Sequence, residues 1–100
     1  MDVCFHRLAA KEYLKAVRWY AERSASVGER FVKAVDAAVL AIAADPYRWS
    51  KHDDHFRIVL VRKCPYILLF EIDDSDAIRG IAVAHTSRRP GYWKQQLKRP

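Results

Sequence analysis

Three short segments in the second half of the chain are rich in Ile, Val, Leu and Phe, and turn-forming residues separate them. They cover residues 56–62, 65–72 and 77–85, with the sequences FRIVLVR, PYILLFEI and AIRGIAVAH. Segments of this length and composition predict β-strands. The connections, Lys63-Cys64-Pro65 and residues 73–76, are short enough to join neighbouring antiparallel strands. The pattern therefore predicts a three-stranded meander.

The first half of the chain has a helical period. Apolar residues recur at steps of three and four over about 8–23, opposite a polar face that includes Glu12. Ser26 and Glu29 have the spacing of a capping box, which predicts the start of a second helix. Asp45-Pro46 predicts its end, because proline disfavours the helical conformation of the residue before it.

The predicted elements follow the order β-α-α-β-β-β, an α+β architecture in one domain over residues 1–100. The first strand is an edge strand, predicted from weak alternation over residues 2–7. A helical hairpin is expected on one face of the antiparallel sheet, and a short helix or tail at the C-terminus. In the last strand, alternation places Ile81 and Val83 on one face, with Arg79 and His85, and Ile78, Ala82 and Ala84 on the other.

The chain is basic, with 18 Lys and Arg residues against 12 Asp and Glu residues and a formal net charge of +6. Its cations are concentrated in the predicted sheet and in the segment that follows it. Such a field favours a polyanionic partner, either nucleic acid or an acidic protein, and charge alone does not choose between them. No predicted helix arranges basic residues to enter the major groove, which argues against autonomous binding to duplex DNA.

Neither a membrane span nor a secretory leader is recognisable, so a cytoplasmic protein is expected. Two cysteines, Cys4 and Cys64, predict reduced thiols rather than a disulfide framework. The run His52-Asp53-Asp54-His55 superficially resembles a metal-binding set. Adjacent residues on one loop seldom point at the same ion, so residues 45–55 are predicted to form an exposed loop. No metal or cofactor is predicted.

Three features together carry a family resemblance. They are Tyr20 with Phe31 on the paired helices, the pairing of FRIVLV with PYILLFEI, and the terminal sequence AHTSRRPGYW. The chain resembles toxins of the ParE/RelE superfamily, the toxin half of bacterial type II toxin–antitoxin modules. The resemblance covers nearly the whole chain. It implies a growth inhibitor in a hetero-oligomer with a cognate antitoxin, an acidic, partly disordered protein that folds on binding.

The superfamily contains two biochemical classes. RelE-like members are ribosome-dependent nucleases. They cut messenger RNA with basic residues of the sheet and a C-terminal tyrosine or histidine. ParE-like members share the fold but poison DNA gyrase by binding it. Arg57 matches the first basic position of the nucleases, whereas Val59 occupies the second, and Ile67 stands where an arginine follows the aromatic that opens the next strand. These departures favour the ParE-like, non-enzymatic branch.

A metal-independent endoribonuclease stays the alternative. By resemblance, its catalytic residues are His85, Arg88 and Tyr92, with His85 as acid or base, since imidazole titrates near neutrality. A histidine at a strand end can also be a hydrogen-bonded structural residue. Tyr92 and Trp93 can equally pack down the C-terminus.

The resemblance and the charge pattern also assign residues that bind the target or the antitoxin. Arg57 and Arg79 are expected on one basic side of the sheet, where their replacement by Glu weakens the complex with the antitoxin. The full predicted set comprises Arg57, Arg62, Arg79, Arg88, Arg89 and Trp93.

Overall fold

The computed structural model describes residues 2–52, 55–88 and 92 and confirms the predicted α+β architecture. Two helices pack on a four-stranded mixed sheet. The elements are β1 (Val3–Phe5), α1 (Arg7–Arg23), α2 (Ala25–Ala44), a 3₁₀ helix (Pro46–Arg48), β2 (Phe56–Leu60), β3 (Tyr66–Ile72) and β4 (Ile78–His85). In the described part of the chain, neither helix is long and apolar enough to cross a membrane.

The strand order is β1-β4-β3-β2, so the last strand in the chain lies inside the sheet. The antiparallel pairs β2–β3 and β3–β4 form the predicted meander. The predicted N-terminal edge strand is confirmed, and it runs parallel to β4. It pairs over three residues, from Val3 opposite Ile78 to Phe5 opposite Gly80.

A glycine permits this parallel pairing. The ring of Phe5 lies over Gly80, and a Cβ atom built at Gly80 would be 2.3 Å from Cδ1 of Phe5. Any other residue at this position would push the ring away. Gly80 is therefore required by the close approach of β1 to β4.

A β-bulge in β4 corrects the faces predicted for that strand. Leu69 pairs with Ala82 and Phe70 pairs with Gly80, which leaves Ile81 as an extra residue. The prediction that separates Ile78 from Val83 is wrong, because both belong to the core beneath the helices. Ile81 and Ala82 instead share a smaller cluster on the opposite face. One extra residue reverses the alternation, and the sequence period does not reveal it.

The junction between the helices corrects the predicted cap. Ser24 separates α1 from α2, and its Oγ accepts a hydrogen bond from the backbone N–H of Val27 at 3.4 Å. Its extended backbone (φ −165°, ψ 127°) suits an N-cap residue. Ser26 already lies in the first turn, and its Oγ is 3.1 Å from that of Ser24. The predicted capping box of Ser26 and Glu29 is therefore wrong.

Three aromatic rings anchor the helical hairpin to the sheet. The ring of Phe31 on α2 lies 5.0 Å from that of Tyr20 on α1 and 5.1 Å from that of Tyr66 on β3. Phe31 is 1% exposed. Its burial removes a large apolar surface from water, which favours folding by about 1.5–3 kcal/mol.

The segment between α2 and β2 is more ordered than the predicted exposed loop. Pro46 is buried in the 3₁₀ helix and Trp49 is half-buried. The chain then runs along the outer edge of β2. The run His52-Asp53-Asp54-His55 is only partly visible, because Asp53 and Asp54 lie outside the described residues. No cluster of three or more candidate metal ligands occurs in the ranges 2–52 and 55–88 or at Tyr92.

We expect Gly80→Ala to lower the free energy of unfolding by about 1–3 kcal/mol, because the added methyl group overpacks against Phe5. Urea denaturation measures this loss. The same substitution in a Phe5→Ala background should cost less, since the opposing ring is gone. An equal loss in both backgrounds would show that the contact with Phe5 is not the cause.

Candidate functional site

A cleft of about 450 Å³ opens between α1 and the end of β4. Helix α1 supplies polar and aromatic side chains on one side, and the ends of β3 and β4 supply the other. His85 ends β4 directly opposite Tyr66, and the two ring centroids are 5.2 Å apart. The cleft is lined by Glu12, Lys15, Ala16, Trp19, Tyr20, Pro65, Tyr66, Val83, His85 and Arg88.

Glu12 joins α1 to β4. Its Oε1 accepts a hydrogen bond from the backbone N–H of Val83 at 3.0 Å. Because the pairing with β1 ends at Gly80, the carboxylate takes the place of a strand for this buried N–H group. Oε2 of Glu12 accepts a second hydrogen bond from the hydroxyl of Tyr92.

Tyr92 contacts both the sheet and α1. Its ring packs on the smaller apolar cluster, which contains Ile81 and Leu69, while its hydroxyl reaches Glu12. Burial raises the pKa of Tyr92, the hydrogen bond to Glu12 raises it further, and the nearby charge of Arg88 opposes the shift. The phenol is therefore protonated at neutral pH and acts as a hydrogen-bond donor.

Arg88 completes this group of side chains. Its Cζ atom lies 4.1 Å from the centroid of the Tyr92 ring, within the range of a cation–π contact. The structure therefore brings His85, Arg88 and Tyr92 to one end of the sheet. Arg89 and Trp93 are outside the described residues.

His85 makes local hydrogen bonds in the turn that follows β4. Its Nδ1 accepts from the backbone N–H of Ser87 at 3.0 Å and lies 2.7 Å from the Ser87 hydroxyl oxygen. Its carbonyl accepts from the backbone N–H of Arg88 at 2.9 Å. These contacts match the structural role considered from the sequence, while the ring also borders the cleft.

A second groove, about 960 Å³ in volume, runs between α2 and β2. It contains the predicted binding residue Arg62. Burial raises the pKa of the thiol of Cys64 in the same groove, which favours the protonated, unreactive form. The cationic side chains that line this groove are those of Arg30, Lys33, Arg48, Arg62 and Lys63.

Arg57 and Arg79 do not form one basic side of the sheet, so that expectation is wrong. Arg57 lies opposite Phe70, whose side chain belongs to the core beneath the helices. Arg79 lies opposite the next residue of β3, Glu71, and forms an ion pair with it at 3.1 Å. Since adjacent strand residues point to opposite faces, the two arginines are on different faces.

The comparison with known families agrees with this fold. The family model described as "ParE toxin of type II toxin-antitoxin system, parDE" matches residues 3–90. The chain belongs to the ParE toxin family. No curated protein matches it significantly. Membership implies a cognate antitoxin as partner.

In this ParE-family toxin, the cation that matches the nucleases is far from the other candidate catalytic residues. Arg57 pairs with Phe70 and His85 pairs with Tyr66, so four residues of β3, or about 13 Å, separate them along the strand. The guanidinium of Arg57 donates to the carbonyl oxygens of Trp49 at 2.7 Å and Tyr47 at 3.2 Å. These bonds hold the 3₁₀ segment against the sheet.

Sequence reasoning missed Glu12, Lys15 and Trp19 as residues of the site. Glu12 was assigned to the solvent-facing side of α1 because it is charged, yet it is half-buried against β4. Trp19 is 49% exposed beside the cleft. The tryptophan itself is the signal in the sequence of α1 that points to this surface, since tryptophan is enriched at interfaces.

Glu12→Ala should lower the free energy of unfolding by about 1–3 kcal/mol, because the buried N–H group of Val83 loses its acceptor. Tyr92→Phe should cost about 1 kcal/mol in the native background and much less alongside Glu12→Ala. Chemical denaturation of the single and double variants measures the coupling. Glu22→Ala, an exposed acid on the same helix, is the control and should change stability by less than about 0.5 kcal/mol. Additive losses would exclude the bond between Glu12 and Tyr92.

The raised pKa of Tyr92 predicts a loss of stability in alkali. The unfolded chain releases the phenolic proton near the ordinary pKa of 10.0, whereas the folded chain retains it to higher pH. The stabilisation is therefore complete below pH 10.0 and declines as the pH rises towards the folded pKa. Unfolding free energies measured on both sides of this value should fall more steeply for the native protein than for Tyr92→Phe. The other tyrosines are common to both proteins and cancel, so parallel curves would contradict the prediction.

Proposed function

We propose that this ParE-family toxin inhibits growth by binding and poisoning DNA gyrase, and that its cognate antitoxin neutralises it. The observation that carries the proposal is the position of Arg57. Its guanidinium is bonded to two backbone carbonyls and lies along β3 from the cluster around His85. In-line cleavage of RNA needs several cations at one phosphate. Arg57 does not line the cleft beside His85, so it is not available to a phosphate bound there.

The side chains near the cleft support a binding role. The hydroxyl of Tyr92 is bonded to Glu12, and Nδ1 of His85 accepts a bond from the Ser87 backbone. His85 therefore stabilises the turn after β4 and Tyr92 is bonded to α1, so both groups contribute to the shape of the surface. A surface that binds a protein target needs shape and a few anchor residues rather than a titrating pair.

Trp19 is the anchor that we propose for the target. Its indole is half-exposed, and Cζ of Arg23 lies 3.5 Å from the ring centroid. Arg23 also donates to the carbonyl oxygen of Trp19 at 2.9 Å, which holds the pair in place. Tryptophan and arginine are the residues most enriched among interface hot spots, and a preordered pair loses little entropy on binding.

Ribosome-dependent cleavage of messenger RNA is the second candidate. The convergence of His85 and Arg88 beside one cleft favours it, because an imidazole and a guanidinium could serve as proton carrier and phosphate ligand. Under this alternative, Tyr92 would orient Arg88 through the contact with its ring.

The two candidates are separated by testing purified toxin, freed from its antitoxin, in parallel assays. One assay follows gyrase supercoiling and the trapped cleavage complex, and the other follows messenger RNA on translating ribosomes. We expect gyrase poisoning with intact RNA. RNA cutting that is lost in His85→Ala or Arg88→Ala would overturn the proposal and make the C-terminal cluster an active site.

Matched variants on α1 sharpen the gyrase assay. Trp19→Ala should raise the concentration needed for poisoning by more than about tenfold, as expected for a hot-spot residue. Leu14→Ala is the control, because Leu14 is 59% exposed on the same helix and does not line the cleft. Equal effects of the two substitutions would exclude Trp19 as the anchor.

A further inference from the structure

The outer side of β1 is an open sheet edge, since β1 ends the strand order β1-β4-β3-β2. The backbone N–H of His6 donates to the carbonyl oxygen of Gly80 at 2.8 Å, which directs the backbone groups of Cys4 and His6 towards β4. By alternation, the N–H and C=O groups of Val3 and Phe5 point outward, and no residue in the described ranges hydrogen-bonds to them. An open strand edge is a template for pairing with another chain.

The sequence of this edge is complementary to itself when a second copy runs antiparallel to it. A two-fold axis at Cys4 places Val3 opposite Phe5 of the second copy, and Asp2 opposite His6 of the second copy. The outward backbone groups belong to Val3 and Phe5, so in this register they form the hydrogen-bonded pairs, which exchange both N–H···O bonds. Every opposed pair across the axis is therefore compatible.

The side chains of this edge divide between the two faces of the sheet. Val3 and Phe5 pack against the core beneath the helices, so their cross-strand pair extends an apolar surface that already exists. Alternation places Asp2, Cys4 and His6 on the opposite face. Asp2 and Cys4 are exposed there, and the pair of Asp2 with His6 is accessible from solvent.

The imidazole of His6 has a suitable donor for this carboxylate. Its Nδ1 accepts a hydrogen bond from the backbone N–H of Leu8 at 3.1 Å, as the N-cap of α1. A ring that accepts at Nδ1 carries its proton at Nε2. The Nε2–H group is then the donor that remains for Asp2 of the second copy.

The charges of this edge favour a second copy over an acidic segment. The edge presents one carboxylate and one imidazole, and an acidic strand would bring a like charge to Asp2. A second copy satisfies both groups at once. The strand pair is short and each copy carries a formal net charge of +6, so the association is weak and is measured at high protein concentration.

We propose that two copies of this toxin associate through the outer edges of their β1 strands, antiparallel and centred on Cys4, so that their sheets become continuous. This inference goes beyond the proposed function, because the edge borders neither the cleft of α1 nor the groove of α2. It therefore does not depend on the target of the toxin.

Disulfide trapping at Cys4 tests the register. The two Cys4 residues form a non-hydrogen-bonded pair with Cα atoms about 4.5 Å apart, a separation that a disulfide spans. The protein is toxin freed from its antitoxin and carrying Cys64→Ser, which leaves Cys4 as its thiol. Diamide is the oxidant: two thiols form one S–S bond and pass their protons and electrons to the diamide.

The control moves the thiol to another exposed position. It combines Cys64→Ser and Cys4→Ser with Ser26→Cys, in the first turn of α2. A helix N-terminus activates a thiol, which makes this control stringent. We expect the covalent dimer to form through Cys4 at least about tenfold faster than in the control, because strand pairing raises the effective concentration of the thiols.

A charge swap tests the pairing of Asp2 with His6 without any covalent bond. Asp2→Arg and His6→Asp should each weaken association about fivefold in sedimentation equilibrium of the reduced protein, since each opposes like charges. The double variant restores opposite charges and should return the dissociation constant to within about twofold of the native value. Aspartate is a good N-cap, so His6→Asp keeps the cap of α1.

Backbone pairing is tested at Val3. Val3→Pro removes an outward N–H group and keeps the bonds to β4, and it should weaken association about fivefold relative to Val3→Ala. In the native toxin, amide exchange at Val3 and Phe5 should slow as the protein concentration rises. The amide of Cys4 is already bonded to β4 and should not change. Unfolding curves establish that the variants are folded.

Three results would overturn the inference. One is cross-linking through Cys4 that is no faster than in the control. Another is a double charge variant that associates no better than the single variants, which would exclude this register. The third is protection of the Val3 and Phe5 amides only when antitoxin is added, which would assign the edge to the antitoxin. None of these measurements uses gyrase, so the inference and the proposed target can fail separately.

Discussion

The central position of β4 is the constraint on which the rest of this structure depends. A strand inside a sheet must have its buried backbone groups bonded along both edges, yet β1 pairs with β4 over only three residues. Gly80 lets β1 approach, and Glu12 bonds the N–H group of Val83 beyond the end of that pairing. Helix α1 thereby completes the sheet edge, which fixes the position of its cleft-facing side.

The same carboxylate determines the shape of the candidate site. Glu12 also accepts the bond from Tyr92, so it joins α1 both to β4 and to the Tyr92 side chain. Arg88 lies over the Tyr92 ring, and His85 accepts the hydrogen bonds that close the turn over residues 85–88. The side chains that resemble catalytic residues thus also support the shape of this surface.

The toxin presents two different surfaces around one aromatic core. Tyr20 borders both the cleft of α1 and the groove of α2, and its contacts with Phe31 and Tyr66 hold the helices and sheet in register. The cleft combines aromatic residues with charges of both signs. The charged side chains that line the groove, among the residues that the structure describes, are all cationic. The two surfaces therefore differ in charge, and the groove favours a partner with acidic side chains.

Hydrophobic periodicity by itself determined the helices, the meander and the α+β order, because burial of one face imposes a regular spacing on each element. It also placed Arg88 and Tyr92 after the last strand, close to His85. Only the tertiary structure decided the parallel pairing of β1, the bulge at Ile81 and the role of Glu12. Each of these depends on contacts between residues far apart in the chain, which no local period records. The sequence therefore determined which elements exist, and long-range backbone bonding decided which of their charged residues meet.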